Sequence, residues 1–259
     1  MKKKVLVTRK LLKENEEKLK ELFDVKLNIH DELYTSEKIL ELSKDCDGIL
    51  SAITDQINKD LIEKLSPTVK IIANFAVGFG NIDIDAATKK NIVVTNTPDV
   101  LDDSTADISI LLLLGASRKV LEARRAAELQ NWKWSADFML GKQMSNKRLG
   151  ILGMGRIGRA VAKRARGFNM EIHYHNRSQL SKDLEEGAIY HKTVKDLFNY
   201  SDFLSINCPA TKETNKIINK ETIAFLPDNV VIGNAARGDV VDDEAMIEAL
   251  KSEKVFAFG

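Results

Sequence analysis

Arg148-Leu-Gly-Ile-Leu-Gly153-Met-Gly155-Arg156-Ile157-Gly158-Arg-Ala-Val-Ala162 reads as a short apolar strand, a glycine-rich turn and the opening of a helix. The spacing is G-x-G-x-x-G. Gly153 allows a tight turn, Gly155 lets the backbone approach a pyrophosphate, and Gly158 lets the helix pack close on the sheet. The helix N-terminus then offers free N–H groups and the positive end of its dipole to the anion. A glycine-rich βα turn that binds nothing can be spelled the same way, but a strand before it and a helix after it meet the context that dinucleotide binding demands. Gly153, Gly155, Arg156, Ile157 and Gly158 are therefore candidate cofactor-binding residues. An NAD site places a carboxylate about twenty residues on, at the end of the next strand, to hold the ribose 2′-hydroxyl. This chain has His173-Tyr-His175-Asn176-Arg177-Ser178 there, with no acid. A guanidinium fork and a hydroxyl suit a 2′-phosphate. Asn176, Arg177 and Ser178 thus favour NADP, with NAD the alternative if Arg177 is only a solvated surface charge.

On either side of this stretch, short apolar runs alternate with amphipathic ones. Residues 5–8, 25–29, 48–53, 70–76 and 92–95 read as strands, being rich in Val and Ile and bounded by polar residues. Residues 11–23, 36–44, 56–65 and 84–90 carry apolar residues at helical spacing. Pro98 changes the pattern, and one long helix with an apolar centre is predicted over residues 101–129, buried between two lobes or in a subunit interface. A polar, aromatic connector covers residues 131–146. A second alternation follows, with strands at 148–152, 171–175, 203–207, 230–234 and 255–258 and helices at 157–168, 220–226 and 242–251. Strands apolar on both faces, alternating with helices, predict an α/β chain with parallel sheets covered by helices. The boundary is expected near Pro98, giving lobes 1–98 and 99–259.

Composition narrows the function. The chain has 259 residues, 44% hydrophobic and 30% charged, which is enough apolar material for a packed core. Thirty-nine Lys and Arg against 38 Asp and Glu leave a net charge of +1, with no basic field to hold a nucleic acid. Two cysteines, Cys46 and Cys208, cannot build a disulfide framework and have no metal-ligand spacing, so a reduced setting is expected. The first residues lack the apolar core of a signal peptide, and the longest apolar run, residues 108–116, is too short to span a bilayer. The expectation is a soluble cytoplasmic protein with no membrane and no nucleic-acid partner.

Three further segments join the glycine turn: Ala73-Asn-Phe-Ala-Val77-Gly78-Phe-Gly-Asn-Ile-Asp83, Thr95-Asn-Thr-Pro98-Asp-Val-Leu-Asp-Asp-Ser-Thr105-Ala-Asp107, and Asn234-Ala235-Ala-Arg237-Gly-Asp-Val-Val-Asp242. In order and spacing the chain resembles the D-isomer-specific 2-hydroxyacid dehydrogenase family, and within it the glyoxylate/hydroxypyruvate reductase branch. The resemblance implies a flavodoxin-like substrate lobe and a Rossmann dinucleotide-binding lobe that close over a cleft. It implies reduction of a small 2-oxo acid, glyoxylate or hydroxypyruvate, by hydride transfer from NADPH. Val77 and Gly78 would offer backbone N–H groups to the substrate carboxylate. Thr105, Cys208, Pro209, Thr214 and Ala235 fall where the family contacts its nucleotide, although Thr105 also suits a helix N-terminus and Cys208 a small buried hydrophobe. Arg237 matches the family's catalytic arginine, and a guanidinium has the fixed charge and fork to hold a carboxylate and polarise a carbonyl. Trp132 and Trp134 resemble the connector of the glyoxylate reductases and, with the apolar run from residue 108, imply a homodimer; plain core packing is the alternative.

Hydride transfer to a carbonyl also needs a proton donor. The resemblance assigns that task to a His held by a Glu, both following a Gly-Leu-Asp motif. None of His30, His173, His175 and His191 lies in a matching segment, and the residues Val255-Phe-Ala-Phe-Gly259 stand one residue before that motif. The expectation is a piece of a longer enzyme, inactive by itself, without the closing helix of the substrate lobe. Two other readings share the fold: a phosphoglycerate or D-lactate type dehydrogenase, and a non-catalytic dinucleotide-sensing protein.

Overall fold

The computed structural model describes residues 2–130 and 132–259; Asn131, the first residue of the expected connector, lies outside them. The chain divides into two compact units, Met1–Val100 and Leu101–Gly259. Both are parallel α/β sheets, as the strand and helix alternation predicts.

In the first unit β1 (Lys4–Val7), α1 (Lys13–Leu22), β2 (Asp24–Leu27), α2 (Ser36–Ser43), β3 (Gly48–Ala52), α3 (Lys59–Lys64), β4 (Ile71–Phe75), α4 (Ile84–Lys89) and β5 (Val93–Thr95) follow in turn. The strands pair in the order β2-β1-β3-β4-β5, the flavodoxin-like arrangement. Thr35, Asn58 and Asp83 cap α2, α3 and α4, their side-chain oxygens accepting the N–H groups of Lys38, Leu61 and Ala86. The Asn58 cap explains why α3 starts later than the predicted residue 56. Leu61, Ile62 and Ala87 then pack with Leu6, Ile49 and Ile72 in the core.

The second unit opens with α5 (Asp102–Ser117) and α6 (Val120–Glu128). The single long helix expected over residues 101–129 is therefore wrong. Lys119 takes a left-handed conformation, φ 53°, between the two. The cause is tertiary: the returning connector brings the Lys142 N–H to the Ser117 carbonyl at 2.8 Å, which ends α5. Ala106, Ile110 and Leu113 of α5 are buried, while Ile108 and Leu111 remain 51% and 60% exposed, so the helix is buried on one face only.

The sheet is built from β6 (Arg148–Leu152), β7 (Glu171–His175), β8 (Ile189–Tyr190), β9 (Phe203–Ile206), β10 (Val230–Asn234) and β11 (Val255–Phe258). Its helices are α7 (Arg156–Arg166), α8 (Lys182–Glu185), α9 (Val194–Asn199), α10 (Lys220–Ile223) and α11 (Asp243–Lys251). The order β11-β10-β9-β6-β7-β8 is the doubly wound 3-2-1-4-5-6 arrangement with β6 as its first strand. Elements α8, β8 and α9 were not expected. They are short, and α8 forms around Glu185, a buried carboxylate that accepts bonds from Tyr174, Gln179 and Lys182. Arg148 staples the start of β6 to β9 through a bidentate pair with Asp202 at 2.7 and 3.0 Å. Asp202 is held below the ordinary carboxylate range chiefly by that guanidinium.

Candidate functional site

In the second unit the G-x-G-x-x-G turn joins β6 to α7, and each glycine is required for a different reason. Gly153 has φ +93°, and a Cβ on it would stand 2.6 Å from the Cys208 nitrogen. A Cβ at Gly158 would stand 2.4 Å from the Gly153 carbonyl oxygen. Both glycines therefore serve close backbone packing. Gly155, the residue at the mouth of α7, has nothing within 4 Å of its Cβ position. The open side of the turn lies there, over a helix N-terminus with no acid in its first turn. These residues fit the pyrophosphate of a dinucleotide.

The end of β7 braces this turn. The Gly153 N–H donates to the His175 carbonyl at 3.0 Å, and the Met154 N–H donates to Asn176 Oδ1 at 2.7 Å. Asn176 is thus spent on the loop backbone. Arg177 and Ser178 are exposed, and Arg177 makes no hydrogen bond or ion pair among the described residues. From the other side Cys208 and Pro209 follow β9. Cys208 is buried, and burial pushes its thiol up to about 11, so it is no nucleophile. The Thr214 hydroxyl closes the loop, donating to the Pro209 carbonyl at 2.6 Å and accepting the Thr211 N–H at 2.8 Å. On α5, Thr105 stands one turn before Ser109, whose hydroxyl reaches Asn207 Oδ1 at 3.5 Å. Arg156 Nε lies 3.6 Å from Asp102, tying the two helix starts together.

Ala235 and Arg237 occupy the turn after β10. Asn234, which sequence reasoning passed over, builds that turn: its Oδ1 accepts the Ala236 N–H at 3.0 Å and its Nδ2 donates to the Arg237 carbonyl at 2.9 Å. The Arg237 guanidinium is exposed, and among the described residues it bonds only the neighbouring Ala236 carbonyl, at 2.8 Å. No carboxylate among the described residues neutralises it. Three histidines gather instead around β7 and β8, separated from β10 by β9 and β6. His173 donates Nε2–H to Glu171 at 2.6 Å, so its Nδ1 accepts from His191 Nε2 at 2.8 Å.

In the first unit, residues 76–80 follow β4. The N–H groups of Val77 and Gly78 find no acceptor among the described residues, although both residues are half-buried. Two adjacent unspent N–H groups are available to an anion.

The profile described as D-isomer specific 2-hydroxyacid dehydrogenase, NAD binding domain, matches residues 110–259, more than half of the chain. The chain belongs to the D-isomer specific 2-hydroxyacid dehydrogenase family. A glyoxylate reductase of Pyrococcus horikoshii is 39% identical over 97% of this chain and 76% of its own length. A glycerate dehydrogenase of Hyphomicrobium methylovorum is 35% identical over 98% of this chain and 80% of its own length. The crystal structure of a glyoxylate reductase from Paecilomyes thermophila is 35% identical and superposes with a TM-score of 0.89, covering 100% of this chain and 80% of that one. Within the dehydrogenase family these matches point to the glyoxylate reductase branch, and the cofactor of such an enzyme is a nicotinamide dinucleotide. No helix among the described residues is long and apolar enough to cross a membrane.

Proposed function

We propose that this 2-hydroxyacid dehydrogenase reduces glyoxylate or hydroxypyruvate with NADPH. One observation carries the reading: the chain holds two unspent anion-binding groups, the adjacent amides of Val77 and Gly78 and the unneutralised guanidinium of Arg237. The names of the relatives support the choice of acid.

Gly153, Gly155, Arg156, Ile157 and Gly158 hold the pyrophosphate, with Thr105, Cys208, Pro209, Thr214 and Ala235 along the nucleotide, Arg177 and Ser178 at the 2′-phosphate, and Asn176 bracing the turn behind them. When bound, the cofactor supplies the hydride. Val77 and Gly78 take the substrate carboxylate and fix its orientation. Arg237 pairs with that carboxylate and stabilises the negative charge that develops on the carbonyl oxygen. The absence of an acid at the end of β7 supports NADPH over NADH. Exposed Ile108, Leu111, Trp132 and Trp134 support a homodimer, since an apolar patch of this kind marks an interface.

The test is a panel of 2-oxo acids assayed with each nucleotide. Glyoxylate and hydroxypyruvate should be reduced fastest, and faster with NADPH. Preference for a phosphorylated or larger acid overturns the substrate assignment. Nucleotide binding with no 2-oxo acid bound at all favours a sensing role.

A further inference from the structure

Three consecutive carbonyls in the loop after β4 are anchored by named donors. The Thr97 N–H bonds the Ala76 carbonyl at 2.9 Å, Asn96 Nδ2 bonds the Val77 carbonyl at 2.8 Å, and Asn74 Nδ2 bonds the Gly78 carbonyl at 2.9 Å. In a planar trans peptide the C=O of one residue and the N–H of the next point in opposite directions. Fixing the Ala76 carbonyl therefore aims the Val77 amide, and fixing the Val77 carbonyl aims the Gly78 amide. The first anchor is a backbone N–H that only a proline would remove. The second is a single side chain, half-buried, in the turn Thr95-Asn96-Thr97-Pro98.

The framework beneath the loop is rigid. Asn74 is 2% exposed and uses its whole side-chain amide, donating to the Gly78 carbonyl and to Asn81 Oδ1 and accepting from Ser51 Oγ and Asn81 Nδ2. Asn81 in turn donates to the Ala52 and Asp55 carbonyls, both at 3.0 Å. The loop is thus held by Asn74 at the Gly78 carbonyl and by Asn96 at the Val77 carbonyl, and among the described residues only Asn96 acts on the peptide that carries the Gly78 N–H.

We infer that Asn96 is a positioning residue for the 2-oxo acid: by holding the Val77 carbonyl it directs the Gly78 amide to the substrate carboxylate. The inference rests on the assignment of the Val77 and Gly78 amides to that carboxylate. Asn96 touches no reacting atom in this role, and it discriminates between two neighbouring amides, which a general brace of the unit does not.

The experiment is a titration of the whole chain, ¹⁵N-labelled and saturated with NADPH, with oxamate, a 2-oxo acid analogue that accepts no hydride. In the unaltered protein the Val77 and Gly78 amide signals should both move. In Asn96→Leu, which keeps the bulk and loses the donor, the Gly78 response should collapse and the Val77 response persist. The oxamate Kd should rise roughly ten- to a hundredfold, as for the loss of one hydrogen bond to a charged group. NADPH affinity and Tm should not change. If Asn96→Leu folds poorly, Asn96→Ala carries the same comparison. An unchanged Gly78 response in the variants overturns the inference, and so does loss of both responses together with a lowered Tm, which makes Asn96 a brace only. No response at Val77 or Gly78 in the unaltered protein overturns the carboxylate assignment itself and takes the inference with it.

Discussion

The Met154 N–H, in the middle of the glycine turn, is held by Asn176 Oδ1 at the end of β7, at 2.7 Å. The bond joins the part of the turn that would meet a pyrophosphate to the position where a ribose-binding acid would stand in an NAD site. Asn176 and its neighbour Arg177 thus have separable tasks. Asn176 shapes the turn, whichever nucleotide binds. Arg177 is free to meet a 2′-phosphate.

Arg177→Ala should therefore weaken NADPH roughly ten- to a hundredfold and leave NADH unchanged, since a charge-assisted bond to phosphate contributes about 1.5–3 kcal/mol. Asn176→Ala should weaken both nucleotides alike. Fluorescence titration of the two cofactors against each variant separates the outcomes. Equal affinities for NADPH and NADH in the unaltered protein would sink the cofactor assignment.

The glycines should part in the same way. Gly155→Ala adds its methyl to open space, so Tm should hold while nucleotide affinity falls. Gly158→Ala drives its methyl against the Gly153 carbonyl, 2.4 Å away, and should lower stability by about 1–3 kcal/mol as an overpacked contact. Thermal melts and binding isotherms on the two variants check this; a stable Gly158→Ala protein with full affinity is the adverse result.

Arg237→Ala should lower the rate of 2-oxo acid reduction by about 10²–10³, the scale of one lost donor to a developing oxyanion, without changing nucleotide affinity. His175→Gln and His191→Gln should leave the rate unaltered, because β9 and β6 separate β7, which ends at His175, from β10, and His191 follows β8, one strand further out. A rate that collapses in either histidine variant would identify the proton donor there.

His191 titrates below the usual histidine value of 6.5, chiefly because burial disfavours its charged form and secondarily because of His173 and His175, with Asp196 opposing. The folded state binds this proton less readily than the unfolded chain. The contribution to stability is therefore present above pH 6.5 and is lost as pH falls from 6.5 towards the depressed folded value. Tm followed from pH 7.5 to 5.5 should decline more steeply in the unaltered protein than in His191→Gln. Parallel curves would refute the linkage.

Light scattering should give twice the chain mass, and Ile108→Glu with Leu111→Glu should give a monomer with its fold retained, because both side chains are already exposed on α5. A monomeric unaltered protein would count against the interface.

The strands were legible because those of a sheet covered on both faces are short apolar runs. The glycine turn was legible because its chemistry is local: strand, turn and helix N-terminus are contiguous in the chain. Resemblance to the family marked Val77, Gly78 and Arg237 as motif residues. It did not reveal what holds them. Asn74, Asn96 and Asn234 are ordinary polar residues in sequence, and their roles depend on carbonyls brought close by the folded turns. The short elements between β7 and β9 were also hidden, since α8 rests on Glu185. That carboxylate is held down to about 2 chiefly by Lys182, with Gln179 and Tyr174. A buried acid of this kind is indistinguishable in sequence from a solvated one.

The sequence by itself determined the fold class and the place of the dinucleotide turn, because both are written in periodicities and spacings within a few tens of residues, and four motif segments along the chain carried the resemblance to the family. Tertiary structure alone decided where α5 ends, since the Ser117 carbonyl is captured by the Lys142 amide of a connector that returns to it. It also decided which amides of the loop after β4 are free and which side of α5 stays exposed. Hydrogen-bond partners and burial are properties of approach in space, and a one-dimensional pattern holds them only when the partners are neighbours in the chain.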